Sequence, residues 1–446
     1  MERPVAKGLN DLGAAETVRR IRAGEATAEA VMTDCLSRIA DREPEVGAFV
    51  CWNAEHALER ARAADRIPDS GPLHGVPFAV KDIIDTIDFP TAWGSSIYEG
   101  FRPPRNASCV ELFMRAGAIP VGKTVTTEFA YFHPGKTANP HNCNHTPGGS
   151  SSGSAAAVAD FMLPLAFGSQ TAASLIRPAA YCGIAGYKPT HGAFDLQGVM
   201  GLAPSLDTLG LLARNVDDLV LARSVLCGSE PVKAREFDEL PRVALMRGPH
   251  WWEGSVEMRD VCQRAMAALA DCGAETGELA HPDLFAELTE CQKTVMAFET
   301  ARARVYEFSR HREALSPQFA ELVQTGLATS QAEYQAAQRT KVAAARMLEA
   351  LFLDIDVILA PAAPGEAPEG LSATGDPLFS RAWTLLQVPS ISIPFGYGPN
   401  GLPLSVQIIG PYRSDDRLLS AADAIHGCLR ERMSETQRSV TAISGN

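Results

Sequence analysis

The chain has 446 residues, of which 46% are hydrophobic and 21% are charged, a composition typical of a globular protein that buries a large core. Its 53 Asp and Glu residues exceed its 40 Lys and Arg residues, and the basic side chains are scattered, which argues against nucleic-acid and anionic-membrane partners. No apolar run reaches the roughly 20 residues of a membrane-spanning helix, and the N-terminus lacks the apolar core of a secretory signal. We therefore expect a cytoplasmic protein whose ten cysteines, none of them in a C-x-x-C pair, are reduced and mostly buried.

The first predicted elements are helices. Apolar residues have helical spacing from residue 10 to about residue 64, and Gly24 and the segment 41–44 (DREP) are expected to divide this region into at least two helices. The compact apolar run Val76–Val80 then predicts a buried strand, which ends at Lys81.

Residues 117–124, GAIPVGKT, match the phosphate-binding template G-x-x-x-x-G-K-[ST]. That template functions only with a strand before its first glycine and a helix after its Lys-Thr pair. Here a helix is predicted over 107–116 and a short strand over 118–122, between the two glycines. The segment is therefore predicted not to bind a nucleotide.

Three other motif matches are also predicted to have no function of their own. In HNCNH (141–145), two His and one Cys alternate and could share a strand face in a zinc site, but a fourth ligand is lacking and the segment is predicted to be a loop. Residues 149–153 fit the nucleophile elbow G-x-S-x-G, although no strand precedes them. GYGPNG (396–401) fits G-x-G-x-x-G, but it lies between two predicted strands and is interpreted as a hairpin turn.

Two serine-containing turns are joined by one helix and one strand. TPGGSSSGSAAAVAD (146–160) predicts a turn followed by a helix, and LPLAFGSQ (163–170) predicts a strand that leads to the turn of Ser174. A helix and a returning strand bring Ser150 and Ser174 to one edge of a sheet, where the strand before Lys81 also ends. Residues 230–350 predict a helical layer, and the later segments DVILAP, SISIPF and LPLSVQIIG predict strands, so an α/β fold around one large sheet is expected.

Eight motifs in succession resemble the amidase signature family of serine hydrolases, with the position of Arg177 similar to its malonamidase-like branch. They are GPLHGVPFAVKD, GKTVTTEFA, TPGGSSSGSAAAVA, SQTAAS, YCGIAGYKPT, SLDTLG, VPSISIPFG and GLPLSVQIIG. The resemblance implies an α/β amidase signature fold, with one large mixed β-sheet core flanked by helices on both faces. It also implies a single amidase domain over 1–446, consisting of N-terminal helices (1–65), a signature core (66–225), a variable helical region (226–350) and a C-terminal part of the core (351–430).

Carried over by motif position, the resemblance makes Ser174 the nucleophile, Ser150 a bridging serine in cis linkage to Gly149, and Lys81 the base. A serine hydroxyl needs a partner to take its proton, and a lysine can do so only if burial lowers its pKa from about 10.4. His74 or His133 could serve instead, and Lys81 could form a surface ion pair with Asp82 or Asp85. The oxyanion would be held by backbone N–H groups of Thr171, Ala172, Ala173 and Ser174, with no metal or organic cofactor.

The turn of Ser174 departs from the family pattern in three ways. Ala172 and Ala173 replace two glycines, so either both have negative φ or the turn is strained. Gln170 replaces an acid, and Arg177 stands three residues after the nucleophile rather than two. Arg177 is a candidate, together with Gly149, for binding substrate, for instance a carboxylate; the alternative is that it braces an internal acid such as Asp207.

The resemblance implies a hydrolase that cleaves C–N bonds of small amides, with esters and carbamates (urethanes) as further substrates. One alternative is the amidase subunit of an amidotransferase complex acting on charged tRNA, and another is a catalytically silent binding protein. The expected ligand is a small-molecule amide or carbamate, and a homodimer is compatible with the sequence.

Overall fold

A computed structural model describes residues 8–231 and 240–444 of the chain, and eleven strands of these residues join in one sheet. In chain order they are β1 (Phe49–Trp52), β2 (Pro77–Lys81), β3 (Ile119–Thr124), β4 (Leu165–Gln170), β5 (Ala185–Lys188), β6 (Thr208–Ala213), β7 (Val243–Met246), β8 (Thr276–Leu279), β9 (Val357–Pro361), β10 (Ser390–Tyr397) and β11 (Pro403–Ile409). Their order across the sheet is β1-β3-β2-β4-β6-β5-β10-β11-β9-β7-β8. The neighbours β3, β2 and β4 are parallel, as are β9, β7 and β8, and the remaining pairs are antiparallel.

Fourteen α-helices of the described ranges cover this sheet. They are α1 (Ala14–Arg22), α2 (Ala28–Val46), α3 (Ala54–Ala64), α4 (Ser108–Arg115), α5 (Ser152–Ala159), α6 (Ile176–Cys182), α7 (Val216–Cys227), α8 (Val256–Asp271), α9 (Leu288–Ala303), α10 (Val305–Arg310), α11 (Pro317–Ala328), α12 (Gln331–Leu351), α13 (Leu378–Leu385) and α14 (Asp415–Ser444). None of the helices in the described part of the chain is both long enough and apolar enough to cross a membrane.

Alternate side chains of the central strands belong to two separate hydrophobic cores. Phe78 and Val80 of β2 pack in one core, which includes residues of α4, α7, α8 and α9, whereas Ala79 packs in the other, with residues of α2, α3, α5 and α6. Because successive strand side chains point to opposite faces, the two cores lie on opposite sides of the sheet. The structure thus confirms the predicted fold, a mixed sheet flanked by helices on both faces.

The structure confirms the predicted strands and helix around residues 117–124, the segment that matches the phosphate-binding template. β2 ends at Lys81, α4 ends at Arg115, and β3 contains the second glycine and the Lys-Thr pair. Lys123 of that pair is fully buried, and its Nζ lies 3.0 Å from Oδ1 of Asp82. The lysine is therefore committed to an internal ion pair. The segment 396–401 is the predicted hairpin turn, since β10 and β11 pair antiparallel on either side of it.

Two predictions for the N-terminal region are wrong. Helix α2 does not break at 41–44 but continues to Val46 with Pro44 inside it. Pro44 lies in the last turn of the helix, so its missing N–H removes one i→i−4 hydrogen bond close to the helix end, and Gly47, which has φ 60°, caps the helix. The region predicted to be helical also contains strand β1, which pairs with β3.

The region 226–350 is not purely helical. Strands β7 and β8 come from it and extend one edge of the sheet beyond β9, while α8 to α12 supply the helical part. Both strands have four residues, which is too short for a clear period in the sequence.

The expectation that all ten cysteines are reduced is also wrong, because Cys272 and Cys428 form a disulfide. Cys272 follows the last residue of α8, and Cys428 lies on α14, which packs beside α8. The two are 156 residues apart in the chain, so the pair becomes visible only in the fold. Among the other cysteines, four are buried and Cys227 is exposed.

Candidate active site

Three chain segments meet at the edge of the sheet where β2 and β4 end. The two strands are parallel neighbours, so Lys81 at the end of β2 lies beside the end of β4. The turn 171–174 follows β4 directly, and Ser150 lies just before α5, whose far end returns to the start of β4. The topology therefore brings Lys81, Ser150 and Ser174 to one place, as the order of elements in the sequence predicts.

Lys81 is fully buried between two serine hydroxyls. Its Nζ lies 2.7 Å from Ser150 Oγ and 2.8 Å from Ser169 Oγ. Burial lowers the pKa of Lys81 well below its ordinary value, and the charge of Asp207 opposes this shift only in part. A lysine in this setting can lose its proton and act as a base.

The nucleophile candidate Ser174 faces the same cleft as Ser150. The peptide bond between Gly149 and Ser150 is cis, as expected, and Ser151 N–H donates to the Ser174 carbonyl at 3.3 Å. The Ser174 side chain lines the cleft together with Ser150, but its hydroxyl forms no hydrogen bond with any described residue. The structure thus links Lys81 to Ser150 directly, and leaves the Ser174 hydroxyl free at the cleft.

The backbone of the turn 171–174 presents unpaired donors. Within the described ranges, the N–H groups of these four residues have no hydrogen-bond acceptor in the protein. Ala172 and Ala173 both have negative φ, which resolves the question left by the missing glycines: the turn is not strained at these positions. Consecutive N–H groups that lack a protein acceptor are suited to bind a developing negative charge.

Gln170 supports this turn from beneath. Its Oε1 accepts the N–H groups of Leu175, at 3.0 Å, and Ile176, at 3.1 Å, and its side chain is fully buried. Its Nε2 donates to Thr384 Oγ1 at 2.9 Å. A neutral amide oxygen therefore accepts the two N–H groups that follow the nucleophile, at the position where the family has an acid.

Arg177 is buried beside the cleft and does not brace Asp207. Its guanidinium donates to the carbonyl oxygens of Gly149, at 2.7 Å, and Gly375, at 2.6 Å, and to Thr374 Oγ1 at 3.1 Å. It forms no ion pair with a described residue, and burial lowers its pKa to about 10. Asp207 instead accepts the Thr171 hydroxyl at 2.6 Å, so the alternative role suggested for Arg177 is wrong.

A small, partly open cleft lies over the two serines. The residues that line it include Ser150, Arg177 and the turn 171–174 between β4 and α6. Its walls are mostly apolar and are formed by Tyr131, Phe132, Leu202, Met296 and Pro377. The shape and lining suit a small organic molecule that carries one polar reacting group.

The rival bases lie elsewhere. The Nδ1 atom of His74 lies 2.6 Å from Ser70 Oγ, away from the residues that line the cleft, and His133 is not among them either. Asp82 pairs with Lys123, which leaves Lys81 without that partner.

The alternating His and Cys residues do not converge as metal ligands. His141 Nε2 lies 2.9 Å from the Cys182 carbonyl oxygen, and His145 Nδ1 lies 2.7 Å from the Ala367 carbonyl oxygen. Across the described part of the chain, no group of three or more His, Cys, Asp or Glu side chains is arranged to hold a metal ion.

Ser169 is the residue beside Lys81 that the sequence analysis did not single out. It lies in β4, one residue before Gln170, and only the pairing of β2 with β4 shows that its hydroxyl meets the lysine. The sequence signal was a polar residue at the end of an apolar strand, which is weak by itself. Gln292 and Thr384, which contact the turn 171–174, were also missed, because they come from distant helices without a recognisable motif.

Comparison with known proteins shows extensive similarity. The sequence pattern of the family described as Amidase matches residues 30–419. A glutamyl-tRNA(Gln) amidotransferase subunit from Acidothermus cellulolyticus is 32% identical, with 94% of this chain and 94% of that protein covered. The solved structure of a peptide amidase from Stenotrophomonas maltophilia has a TM-score of 0.79 at 26% identity, covering 94% of this chain and 97% of that chain. A vestigial protein complex that bears on the origins of an s-triazine catabolic enzyme contains a chain with a TM-score of 0.86 at 26% identity, covering 93% of this chain and 98% of that one.

Proposed function

The chain belongs to the Amidase family, and on this premise we propose that it hydrolyses the C–N bond of small amides through an acyl-enzyme on Ser174. The observation that carries the proposal is the buried Lys81, hydrogen-bonded to Ser150 beside four unpaired N–H groups. Esters and carbamates undergo the same acyl transfer, and we include them among the proposed substrates.

In the proposed reaction, neutral Lys81 takes a proton from Ser150, which takes one from Ser174 as the Ser174 oxygen attacks the substrate carbonyl. The relay requires the free Ser174 hydroxyl to turn toward Ser150, a contact that is expected to tighten when substrate is bound. The resulting oxyanion accepts hydrogen bonds from the N–H groups of 171–174, which are in place before the reaction. The proton then returns from Lys81 through Ser150 to the leaving amine, and water hydrolyses the ester on Ser174.

We propose that Arg177 contacts the substrate from the lining of the cleft, and that Gly149, whose carbonyl oxygen it holds, contributes through this contact. Arg177 brings a positive charge to the cleft without an internal carboxylate to neutralise it, so a carboxylate on the acyl portion of the substrate would gain an ion pair. The apolar residues of the lining suit an aryl or alkyl group.

A fluorophosphonate probe tests the proposal without knowledge of the substrate, because it reacts with activated serines. The wild-type chain should be labelled on Ser174 and should hydrolyse an anilide such as p-nitroacetanilide. Ser174→Ala should lose both activities and keep its thermal stability. Ser70→Ala is the matched control, because it removes the hydroxyl of the Ser70–His74 pair and should leave labelling unchanged. Label on a residue other than Ser174 would contradict the assignment.

The similarity to the amidotransferase subunit from Acidothermus cellulolyticus supports a second candidate, an amidase that acts within a complex on charged tRNA. On that alternative the isolated chain would be inactive on free anilides and would need a partner subunit for turnover. The excess of acidic residues argues against direct contact with nucleic acid. A catalytically silent binding protein would instead show no label on Ser174.

A further inference from the structure

Two helices outside the serine-containing core hold the backbone of the turn 171–174. Gln292 of α9 donates its Nε2 to the Thr171 carbonyl oxygen at 3.0 Å. Thr384 of α13 places its hydroxyl 2.7 Å from the Ala172 carbonyl oxygen, and 2.9 Å from that of Ser380, so its one proton can go to either. Both side chains are buried, with at most 1% exposed.

The two side chains are themselves fixed. Arg381 of α13 donates to Oε1 of Gln292, which leaves the Nε2 group of that amide facing the turn. Gln170 donates to the hydroxyl of Thr384, which leaves the hydroxyl proton free for a carbonyl. Because each amide or hydroxyl has a partner on its other side, it cannot rotate without losing a buried hydrogen bond.

Holding a carbonyl also orients the next N–H group. In a trans peptide unit the C=O and the following N–H are coplanar and point in opposite directions. The Thr171 carbonyl shares its peptide unit with Ala172 N–H, and the Ala172 carbonyl shares its unit with Ala173 N–H. Gln292 and Thr384 are not among the residues that line the cleft, so carbonyls that bond to them point out of it and the two N–H groups point toward it.

We propose that Gln292 and Thr384 are positioning residues, which aim the Ala172 and Ala173 N–H groups at the oxyanion. This inference rests on the proposed function, because an oxyanion forms at these N–H groups only if Ser174 is the nucleophile. In this chain neutral side chains anchor the turn and the residue that follows it, namely Gln170, Gln292 and Thr384.

The test compares the rate constant for fluorophosphonate labelling of Ser174 in paired variants. Gln292→Met removes the amide, and Thr384→Val replaces the hydroxyl with a methyl group of the same shape. In each variant Ser174 should be labelled about 10-fold or more slowly, because a poorly oriented oxyanion donor lowers the reaction rate rather than the binding affinity. Thr384→Ser keeps the hydroxyl and should label within about twofold of wild type, as should Thr294→Val on the same helix as Gln292.

The pH profile separates positioning from general damage. The labelling rate should fall at every pH with its midpoint unmoved, because the surroundings of Lys81 are unchanged, and the anilide kcat should fall with little change in KM. Wild-type labelling rates in both Gln292→Met and Thr384→Val would overturn the inference. If Gln292→Met does not fold, Thr384→Val alone decides. An unlabelled wild-type chain would overturn the proposed function, and the inference with it.

Discussion

The hydroxyl of Ser169 lies 2.8 Å from Lys81 Nζ, on the neighbouring strand and opposite the contact to Ser150. A neutral amine can donate to Ser169 while its lone pair accepts the Ser150 proton, so Ser169 orients the base. Ser169→Ala should lower kcat by about 10-fold. It should also move the acidic limb of kcat/KM to lower pH, because an acceptor favours the protonated lysine. Profiles from pH 5 to 10 measure both effects, with Ser70→Ala as the control, and an unmoved limb would argue against this role.

Lys81 should make stability depend on pH. Its ordinary pKa is 10.5 and burial lowers the folded value well below this, so between the two values the unfolded chain binds a proton that the folded chain lacks. Unfolding free energy from this group therefore rises with pH up to about 10.5. The variant Lys81→Met lacks this dependence. The Tm of the variant minus the Tm of wild type should therefore be highest near pH 6 and lower near pH 10. Lys136→Met, an exposed lysine, is the control; an equal difference at all pH values would contradict the lowered pKa.

Arg177 should influence kcat on every substrate, because it holds the Gly149 carbonyl oxygen. It should also influence KM for carboxylated substrates, because of its positive charge. Neither Lys nor Met can hold the carbonyls of Gly149 and Gly375 together, so Arg177→Lys and Arg177→Met should both lower kcat on a neutral anilide by about 10-fold. Only Arg177→Met should also raise KM for a carboxylated anilide, because it alone loses the charge. Steady-state kinetics on matched neutral and carboxylated anilides will distinguish the two effects. If both variants kept the wild-type kcat on the neutral anilide, the contact between Arg177 and Gly149 would be dispensable.

Restoring the two glycines should loosen the turn. Ala172 and Ala173 have negative φ, so glycine gains nothing in the folded state and the unfolded chain becomes freer. The double variant Ala172→Gly, Ala173→Gly should lose about 1–2 kcal/mol of unfolding free energy. Both residues line the cleft, so the added room should lower KM for a pivaloyl anilide more than for an acetyl anilide. Denaturant titration and kinetics on the two anilides measure this, and increased stability would refute the argument.

The disulfide between Cys272 and Cys428 should stabilise the chain in oxidising buffer. Cys272→Ser with Cys428→Ser should lower unfolding free energy by about 3 kcal/mol, and reductant should bring wild type to the same value. Cys227→Ser, which removes an exposed free thiol, is the control. A thiol titration of the unfolded, unreduced chain should find eight groups, and ten would show that the bond is absent.

The sequence predicts the central part of the fold well because its signals are local. The apolar run before Lys81 and the Gly/Ser turn before α5 each specify one element, and the short connection between Ser150 and Ser174 leaves few ways to arrange them. Pro44 misleads because the helix continues for only two residues past it, so the proline lies close to the boundary without marking it.

The parts that could not be predicted depend on contacts between distant segments. The Lys81–Ser169 contact requires the order of strands, which is not encoded in either strand alone. Gln292 lies more than a hundred residues from the turn that it contacts, and nothing in the local pattern of α9 distinguishes it from an ordinary buried glutamine. The disulfide has the same origin, because it reflects how α8 and α14 pack.

Helix α9 carries Met296 in the wall of the cleft and Gln292 one turn earlier, with Nε2 of Gln292 lying 3.7 Å from the sulfur of Met296. Residues four apart share one face of a helix, so a substitution of Met296 that changes the shape of the cleft removes or alters a contact of Gln292 as well. Variants of this enzyme that accept new compounds are therefore expected to have a lower kcat at first. Compensating changes are expected on α13, whose Arg381 donates to Gln292.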